Sequence, residues 1–262
     1  MQKHIQRYLA EVFGTYVLVF VGAGAVIGFG SGVAPFAFGF ALLTGLYIFG
    51  EISGGHFNPI VSLSMLLDRR MTAKEVGPYW IAQFVGAVLA ALCLLLMTSS
   101  DDVAKAATVP QQGVRAAFFV ELFCSALFML VILVVTKSEA AKSVTYIVIG
   151  LSLMAFHFTA VPFSGSGLNP ARSFGTALVG NTWTDFWIYI LAPLAGAFIG
   201  WLVYAVVVKG DMNLKDDFKG LRTEVGSAYG RGGGAPEGPG DGTRGTGGPP
   251  PEGPGDGTRD TA

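Results

Sequence analysis

Two Asn-Pro pairs, Asn58-Pro59 and Asn169-Pro170, are the residues of this chain best suited to act on a small polar solute. Asn is a preferred helix N-cap and Pro is favoured at the first helical position, so each pair predicts the start of a helix. When the side-chain oxygen caps its own helix, the NH₂ group can still donate outward. If two such helix N-termini met, they would place two amide donors at one point. Each N-terminus would add about half a positive charge there from its helix dipole. A water bound there would turn its oxygen to both donors, which interrupts proton hopping, while the positive field repels cations.

The helices that these pairs begin are short. Residues 58–67 and 169–179 have helical patterns of only about ten residues each. Ten helical residues rise about 15 Å, which is half of a bilayer core of about 30 Å. Two half-helices that meet end to end would therefore complete one membrane crossing.

The composition indicates that a membrane surrounds these elements. Of the 262 residues, 52% are hydrophobic and 13% are charged, whereas about a quarter are charged in a typical soluble protein. Residues 1–208 carry 19 charges and residues 209–262 carry 16. The sequence thus predicts an all-α transmembrane domain over residues 1–209, followed by a hydrophilic tail.

The tail, residues 210–262, has a different composition from the rest. It holds 16 of the 37 glycines, and the segment PEGPGDGTR occurs in it twice, at 236–244 and 251–259. Such low-complexity sequence cannot bury enough apolar surface to fold, so we predict a disordered, Gly/Pro-rich cytoplasmic tail. A passive tail is the simplest interpretation, and partner binding and gating stay open.

Several classes of function are excluded by residue type. A net charge of −1 gives no concentrated basic face for nucleic acid. Cys93 and Cys124 lie in apolar runs, which predicts packed thiols rather than a disulfide or metal site. The sequence has no evident nucleophile–base pair, metal cluster or phosphate loop. We therefore expect no cofactor, no metal and no enzymatic activity.

Six apolar stretches are long enough to span a bilayer. Lys and Arg in short loops concentrate on the cytoplasmic side of membrane proteins. If the N-terminus is cytoplasmic, the cytoplasmic segments hold about eight Lys and Arg residues and the segments on the opposite side hold about two. Both termini are thus predicted to be cytoplasmic. The predicted spans are about 9–29, 35–51, 79–98, 116–136, 144–161 and 186–208.

The spans belong to an internal repeat. The spacing from Glu11 to Asn58 and the spacing from Glu121 to Asn169 differ by a single position. Each unit, about residues 5–99 and 115–208, has three spans, so the second must enter the membrane inverted, with the functional site at the midplane. We expect both glutamates to brace non-helical loops by accepting backbone N–H bonds; a proton relay is the alternative.

The motifs SGGHFNPIVS (53–62) and SGSGLNPARSFG (164–175) resemble those of the aquaporin, or major intrinsic protein, family, and most of all its bacterial water-selective members. The resemblance covers about residues 5–208. It implies six transmembrane helices, two re-entrant half-helices and a homotetramer in the plasma membrane. The family pattern is Asn-Pro-Ala twice, and Ile60 departs from it. The larger Ile60 side chain is expected to crowd the midplane.

The resemblance also implies an outer selectivity filter of four residues. By distance from the Asn-Pro pairs, the matching positions are Phe38, His157, Ser166 and Arg172. Phe38 would form a wall, His157 would fill space and bind water, and Arg172 would donate hydrogen bonds and repel cations. The simpler alternatives are a surface ion pair for Arg172 and a core histidine for His157.

The loops before the Asn-Pro pairs are rich in glycine, which permits backbone carbonyls to face a pore as acceptors. We expect the side chain of His56 to orient its loop, and the alternative is that it lines the inner vestibule. The predicted carbonyl positions are Gly54, Gly55, His56, Gly165, Ser166 and Gly167.

Three functions follow from this pattern. A passive channel for water in single file is favoured, with water as permeant and the lipid bilayer as surroundings. The alternative is the same scaffold passing glycerol, hydrogen peroxide or ammonia; a glycerol-passing relative is expected to have a small residue at position 157 and Asp at 173, where this chain has His157 and Ser173. One feature argues against a water channel: Tyr189-Ile190 in the sixth span is less typical of water channels, which usually have Trp where this chain has Ile190. A coupled transporter is the third, since inverted repeats occur there too.

Overall fold

A computed structural model describes residues 2–211 and 214–229. Within these ranges, six helical segments are long and apolar enough to cross a membrane, which confirms the six predicted spans. The α-helices in chain order are α1 (Gln2–Phe29), α2 (Ala34–Ser53), α3 (Pro59–Leu67), α4 (Ala73–Met97), α5 (Ser100–Lys105), α6 (Val114–Val135), α7 (Thr145–Ser164), α8 (Pro170–Val179), α9 (Ile188–Val203) and α10 (Leu214–Tyr229).

The two half-helices are α3 and α8, which have nine and ten residues. Each begins with Pro in its first turn, and each is capped by the preceding Asn. The side-chain oxygen of Asn58 accepts from the backbone N–H of Ile60 at 3.1 Å, and that of Asn169 accepts from Ala171 at 3.0 Å. The Asn-Pro pattern therefore starts both helices as predicted.

The two repeats pack in the same way. In the first, α1 lies against α2 and α4; in the second, α6 lies against α7 and α9. Glycines at equivalent positions of the two repeats let the backbones meet. A Cβ atom on Gly86 would lie 2.2 Å from the Val12 carbonyl oxygen, and one on Gly196 would lie 2.3 Å from that of Leu122. Close backbone approach of this kind is how small residues stabilise helix pairs in lipid.

Replacing Gly86 by alanine is expected to lower the free energy of unfolding by about 1–3 kcal/mol, because rigid backbone occupies the space for the methyl group. Thermal unfolding in detergent, followed by circular dichroism, measures the effect. Gly28→Ala is the control, since a Cβ there meets nothing within 4 Å. Equal melting temperatures for the two variants would contradict this account of α1–α4 packing.

The structure differs from the predicted disordered tail over residues 214–229, which form helix α10. Leu214, Leu221 and Ala228 recur once per heptad on one face of this helix, and that face packs against the core. The N-terminus of α4 fixes the helix as well, since the Glu224 carboxylate accepts from the Ala73 N–H at 2.9 Å. This stretch lacks proline and has an apolar face, unlike the sequence after it. Residues 230–262, with both copies of the repeated segment, lie outside the described residues.

Candidate functional site: a channel between the two repeats

The two half-helices meet at their N-termini. The Asn58 amide donates to the carbonyl oxygen of Leu168 at 2.9 Å, and the Asn169 amide donates to that of Phe57 at 2.9 Å. These reciprocal bonds join the loop of one repeat to the half-helix of the other. An NH₂ group carries two hydrogens, so each amide keeps one beyond this junction. Both Asn residues line the same narrow cavity, and they are 4–5% exposed.

Buried carboxylates hold the loops that lead to this junction. Glu11 accepts hydrogen bonds from Ser53 Oγ at 2.6 Å, from the backbone N–H of His56 at 2.9 Å and from that of Phe57 at 2.7 Å. These bonds satisfy backbone groups that have no helical partner at membrane depth.

Glu121 does the same in the second repeat. It accepts from Ser164 Oγ at 2.6 Å and from the backbone N–H groups of Gly167 and Leu168, both at 2.7 Å. The two carboxylates therefore have equivalent partners at equivalent positions.

Two tyrosines complete this arrangement, and sequence reasoning missed their role in it. Tyr79 donates to the Ser53 carbonyl at 2.7 Å, and Tyr189 donates to the Ser164 carbonyl at 2.6 Å. The two tyrosines occupy equivalent positions of the two repeats, in register with the glutamates. Extending the repeat alignment beyond the Asn-Pro motifs would have found them.

Phe38, His157 and Arg172 come together from α2, α7 and α8. The rings of Phe38 and His157 stack with centroids 5.1 Å apart, and the Arg172 guanidinium carbon lies 4.6 Å from the Phe38 centroid. Each is 1–2% exposed. Gly22 on α1 makes room for this cluster, because a Cβ there would lie 2.3 Å from the Phe38 ring.

Arg172 is held by a single side-chain hydrogen bond among the described residues, from Nη1 to the Ala106 carbonyl oxygen at 3.0 Å. Its Nε, like His157 Nδ1, is buried without a hydrogen-bond partner in the described part of the chain. Arg172 is thus a buried cation without an ion pair there, and its hydrogen-bonding capacity is only partly used.

Ser166, the fourth predicted filter residue, is placed differently. It is fully buried, its backbone N–H bonds Ser164 Oγ at 3.0 Å, and it lines neither of the two cavities described below. Its φ of 58° lies in the left-handed region. Position 166 therefore contributes to the loop conformation in this structure.

Two cavities meet at Arg172. The narrow one has a volume of about 50 Å³ and is lined by Phe38, His157 and both Asn residues. The outer one has a volume of about 420 Å³ and includes Lys105 and Gln111. Since Arg172 lines both, the Phe38–His157–Arg172 cluster lies where the two cavities meet.

The narrow cavity is mostly apolar. Polar groups enter it from the loops: of the predicted carbonyl positions, Gly54, Gly55, His56 and Gly167 line it, and Gly165 lines the outer cavity. The His56 side chain also bonds Ser62 Oγ through Nδ1, at 3.0 Å. Apolar walls opposite a few polar groups leave a passing solute a limited set of hydrogen bonds. The apolar lining residues include Leu18, Leu42, Val61, Met65, Phe128 and Ile132.

Ile60 does not line this cavity. Its side chain is fully buried in the apolar core behind α3, and its backbone N–H serves the Asn58 cap. The expected crowding of the midplane is therefore not seen: a residue two positions after the N-cap Asn faces the core.

The sequence model of the major intrinsic protein family matches residues 1–204. The chain belongs to this family. Aquaporin Z of Brucella melitensis is 36% identical, over 76% of this chain and 96% of that protein. Glycerol uptake facilitator protein-like 6 of Lactiplantibacillus plantarum is 40% identical, over 74% of this chain and 94% of that protein.

A solved structure shares the fold. The aquaglyceroporin from Plasmodium falciparum superposes with a TM-score of 0.71 at 25% sequence identity, covering 81% of this chain and 99% of that one. The chain is thus a multi-pass membrane channel of the aquaporin family, as the motifs predicted. Its relatives include both an aquaporin and a glycerol uptake facilitator-like protein, so the family alone leaves the permeant open.

Proposed function

We propose that this chain is a passive channel that conducts water in single file and excludes protons and ions. The observation that carries the proposal is the Phe38–His157–Arg172 cluster, to which we assign the constriction: the Phe38 ring contacts both the His157 ring and the Arg172 guanidinium, and Arg172 lines both the outer and the narrow cavity. Two stacked rings and a guanidinium leave little width. The Arg172 charge repels cations, and the His157 ring and guanidinium offer hydrogen bonds that replace those a water loses on entry.

The proposal assigns exclusion of protons to Asn58 and Asn169. Each amide keeps one hydrogen beyond its bond across the junction, and both line the channel. A water that accepts from both can donate to its neighbours but cannot accept from them. The N-termini of α3 and α8 add positive potential at the same point.

Passive conduction fits the buried carboxylates better than coupled transport. Glu11 and Glu121 are fully buried, and both oxygens of each accept hydrogen bonds from the loops. A proton carrier would have to release these loop bonds with every cycle. Nothing in the proposed channel calls for bond-making chemistry, a cofactor or a metal.

A glycerol channel is the second candidate, and the similarity to a glycerol uptake facilitator-like protein favours it. Stopped-flow light scattering on proteoliposomes separates the two. An impermeant osmolyte tests water conduction, and an equal gradient of glycerol tests solute entry, with protein-free vesicles as reference. Rapid shrinkage without reswelling in glycerol supports the water channel. Reswelling at a comparable rate supports the glycerol channel.

The proposal includes a plasma-membrane homotetramer with both termini in the cytoplasm. Lys105 and Lys142 are exposed residues between spans, on the two predicted sides of the membrane. In intact cells, a membrane-impermeant thiol reagent is expected to label Lys105→Cys and to leave Lys142→Cys unlabelled until the cells are opened. The reverse pattern would invert the assigned topology.

A further inference from the structure

The two repeats differ at one polar cluster beside the channel, which consists of His56, Ser62 and Gln83. The Gln83 amide donates to Glu11 Oε2 at 2.8 Å and to Ser62 Oγ at 3.0 Å. Ser62 Oγ in turn lies 3.0 Å from His56 Nδ1. Ser62 and Gln83 are fully buried, whereas His56 reaches the narrow cavity.

The second repeat serves as an internal comparison. At the equivalent positions it has Gly167, Ser173 and Pro193. The Ser173 hydroxyl is buried without a hydrogen-bond partner among the described residues. Among the described residues, the serine hydroxyl is therefore hydrogen-bonded only in the first repeat, which is also the repeat that has the histidine and the glutamine.

The direction of the hydrogen bonds follows from Glu11. Its carboxylate already accepts from the loop, so the Gln83 amide must present its NH₂ to it, and the same NH₂ reaches Ser62. Ser62 Oγ therefore receives a hydrogen from Gln83, and among the described residues the one further partner to which its own hydrogen can go is His56 Nδ1. An Nδ1 that accepts this hydrogen bond carries no proton, and a neutral ring in that state is protonated on Nε2.

We propose that Ser62 and Gln83 are positioning residues that hold His56 as the Nε2–H tautomer, which makes its ring a fixed hydrogen-bond donor in the channel. Nε2 has no partner among the described residues, and the loop that carries it runs from the end of α2 to the midplane. His56 thus lies between the inner mouth and Asn58. On this assignment its side chain does more than orient the loop.

A fixed donor there has a consequence that rests on the proposed water conduction. Waters on this side of Asn58 turn their oxygens towards the midplane and donate towards the inner mouth. A water that also accepts from His56 Nε2–H has used both of its acceptor positions. It cannot take a proton from the next water, so the proton wire is broken at a second place. The tautomer itself rests on the geometry alone.

Nitrogen-15 NMR of histidine-labelled protein in liposomes at neutral pH tests the tautomer directly. The chain has three histidines, and loss of one signal in a His56→Asn variant assigns it. The wild type is expected to show Nδ1 as an unprotonated acceptor and Nε2 as protonated. Ser62→Ala should lower the ratio of the Nε2–H to the Nδ1–H form by about fivefold, the factor that one hydrogen bond contributes. Ser62→Thr, which keeps the hydroxyl, should restore it.

Ser173→Ala is the matched control, because it removes the equivalent hydroxyl from the other repeat and should leave the His56 signals unchanged. A proton on Nδ1 in the wild type, or equal shifts in Ser62→Ala and Ser173→Ala, would overturn the assignment. Light scattering on the same liposomes separates this failure from failure of the proposed function. Vesicles that conduct no water but contain Nε2–H His56 refute conduction and leave the tautomer standing.

Discussion

Glu121→Gln is expected to reduce water permeability to about a tenth, an increase of about 1.4 kcal/mol in the permeation barrier, although the two side chains have nearly the same shape. Both carboxylate oxygens accept from donors: Oε1 from Ser164 and Gly167, and Oε2 from Leu168. Either orientation of the amide places an NH₂ group against one of these donors. Each buried donor left without an acceptor costs about 1–3 kcal/mol. The carbonyls of this loop would then leave their positions along the channel.

Stopped-flow shrinkage and thermal unfolding measure the two consequences on the same preparation. Glu139→Gln is the control, because Glu139 is exposed and pairs only loosely with Lys142, at 3.7 Å. Glu11→Gln should behave as Glu121→Gln does, since its carboxylate has equivalent loop partners. Wild-type permeability and stability in Glu121→Gln would show that the carboxylate does not hold this loop.

The double variant His157→Gly with Arg172→Val is expected to admit glycerol, with permeability at least about tenfold above that of the wild type. The His157 ring stacks on Phe38, and the guanidinium lies over the same ring, so removing both leaves Phe38 as the one bulky member of this contact. Water conduction should persist, because the Asn58–Asn169 junction is untouched. Reswelling of proteoliposomes in a glycerol gradient gives the rate.

Arg115→Val with Phe158→Gly is the matched control for this variant. Phe158 is the neighbour of His157 on α7 but is 49% exposed, and Arg115 is exposed at the start of α6. These changes also place a glycine in α7 and remove an arginine, and they spare the constriction. A double variant that remains closed to glycerol would locate the selectivity barrier elsewhere in the channel.

The half-helices could be predicted because their signals are local. Asn58-Pro59 and Asn169-Pro170 determine where α3 and α8 begin, and the neighbouring loops have the glycine that a left-handed helix end requires. Gly54 and Gly165 end α2 and α7 with φ values of 92° and 71°. The repeat spacing then indicated that equivalent glutamates serve equivalent loops.

Contacts between distant elements could not be predicted in the same way. Gln83 contacts Glu11 from far along the chain, and nothing in its local sequence distinguishes it from another polar residue in a span. Ile60 was assigned to the midplane because of its motif, whereas the helix turns that position into the core. Helix α10 was missed because the Gly/Pro-rich composition after residue 230 dominated the average over an amphipathic stretch.

The reciprocal bonds at the half-helix tips make the centre of this protein an interface. The Asn58 amide needs the Leu168 carbonyl, and the Asn169 amide needs the Phe57 carbonyl, so neither repeat can satisfy its own tip. A fragment that ended within the connection between the repeats would expose an orphan donor and an orphan acceptor to hydrocarbon, where each costs several kcal/mol. The two fragments carry complementary donors and acceptors, so two separately expressed halves would gain both reciprocal hydrogen bonds by associating. The channel therefore lies at an interface between two repeats that happen to be covalently linked in one chain.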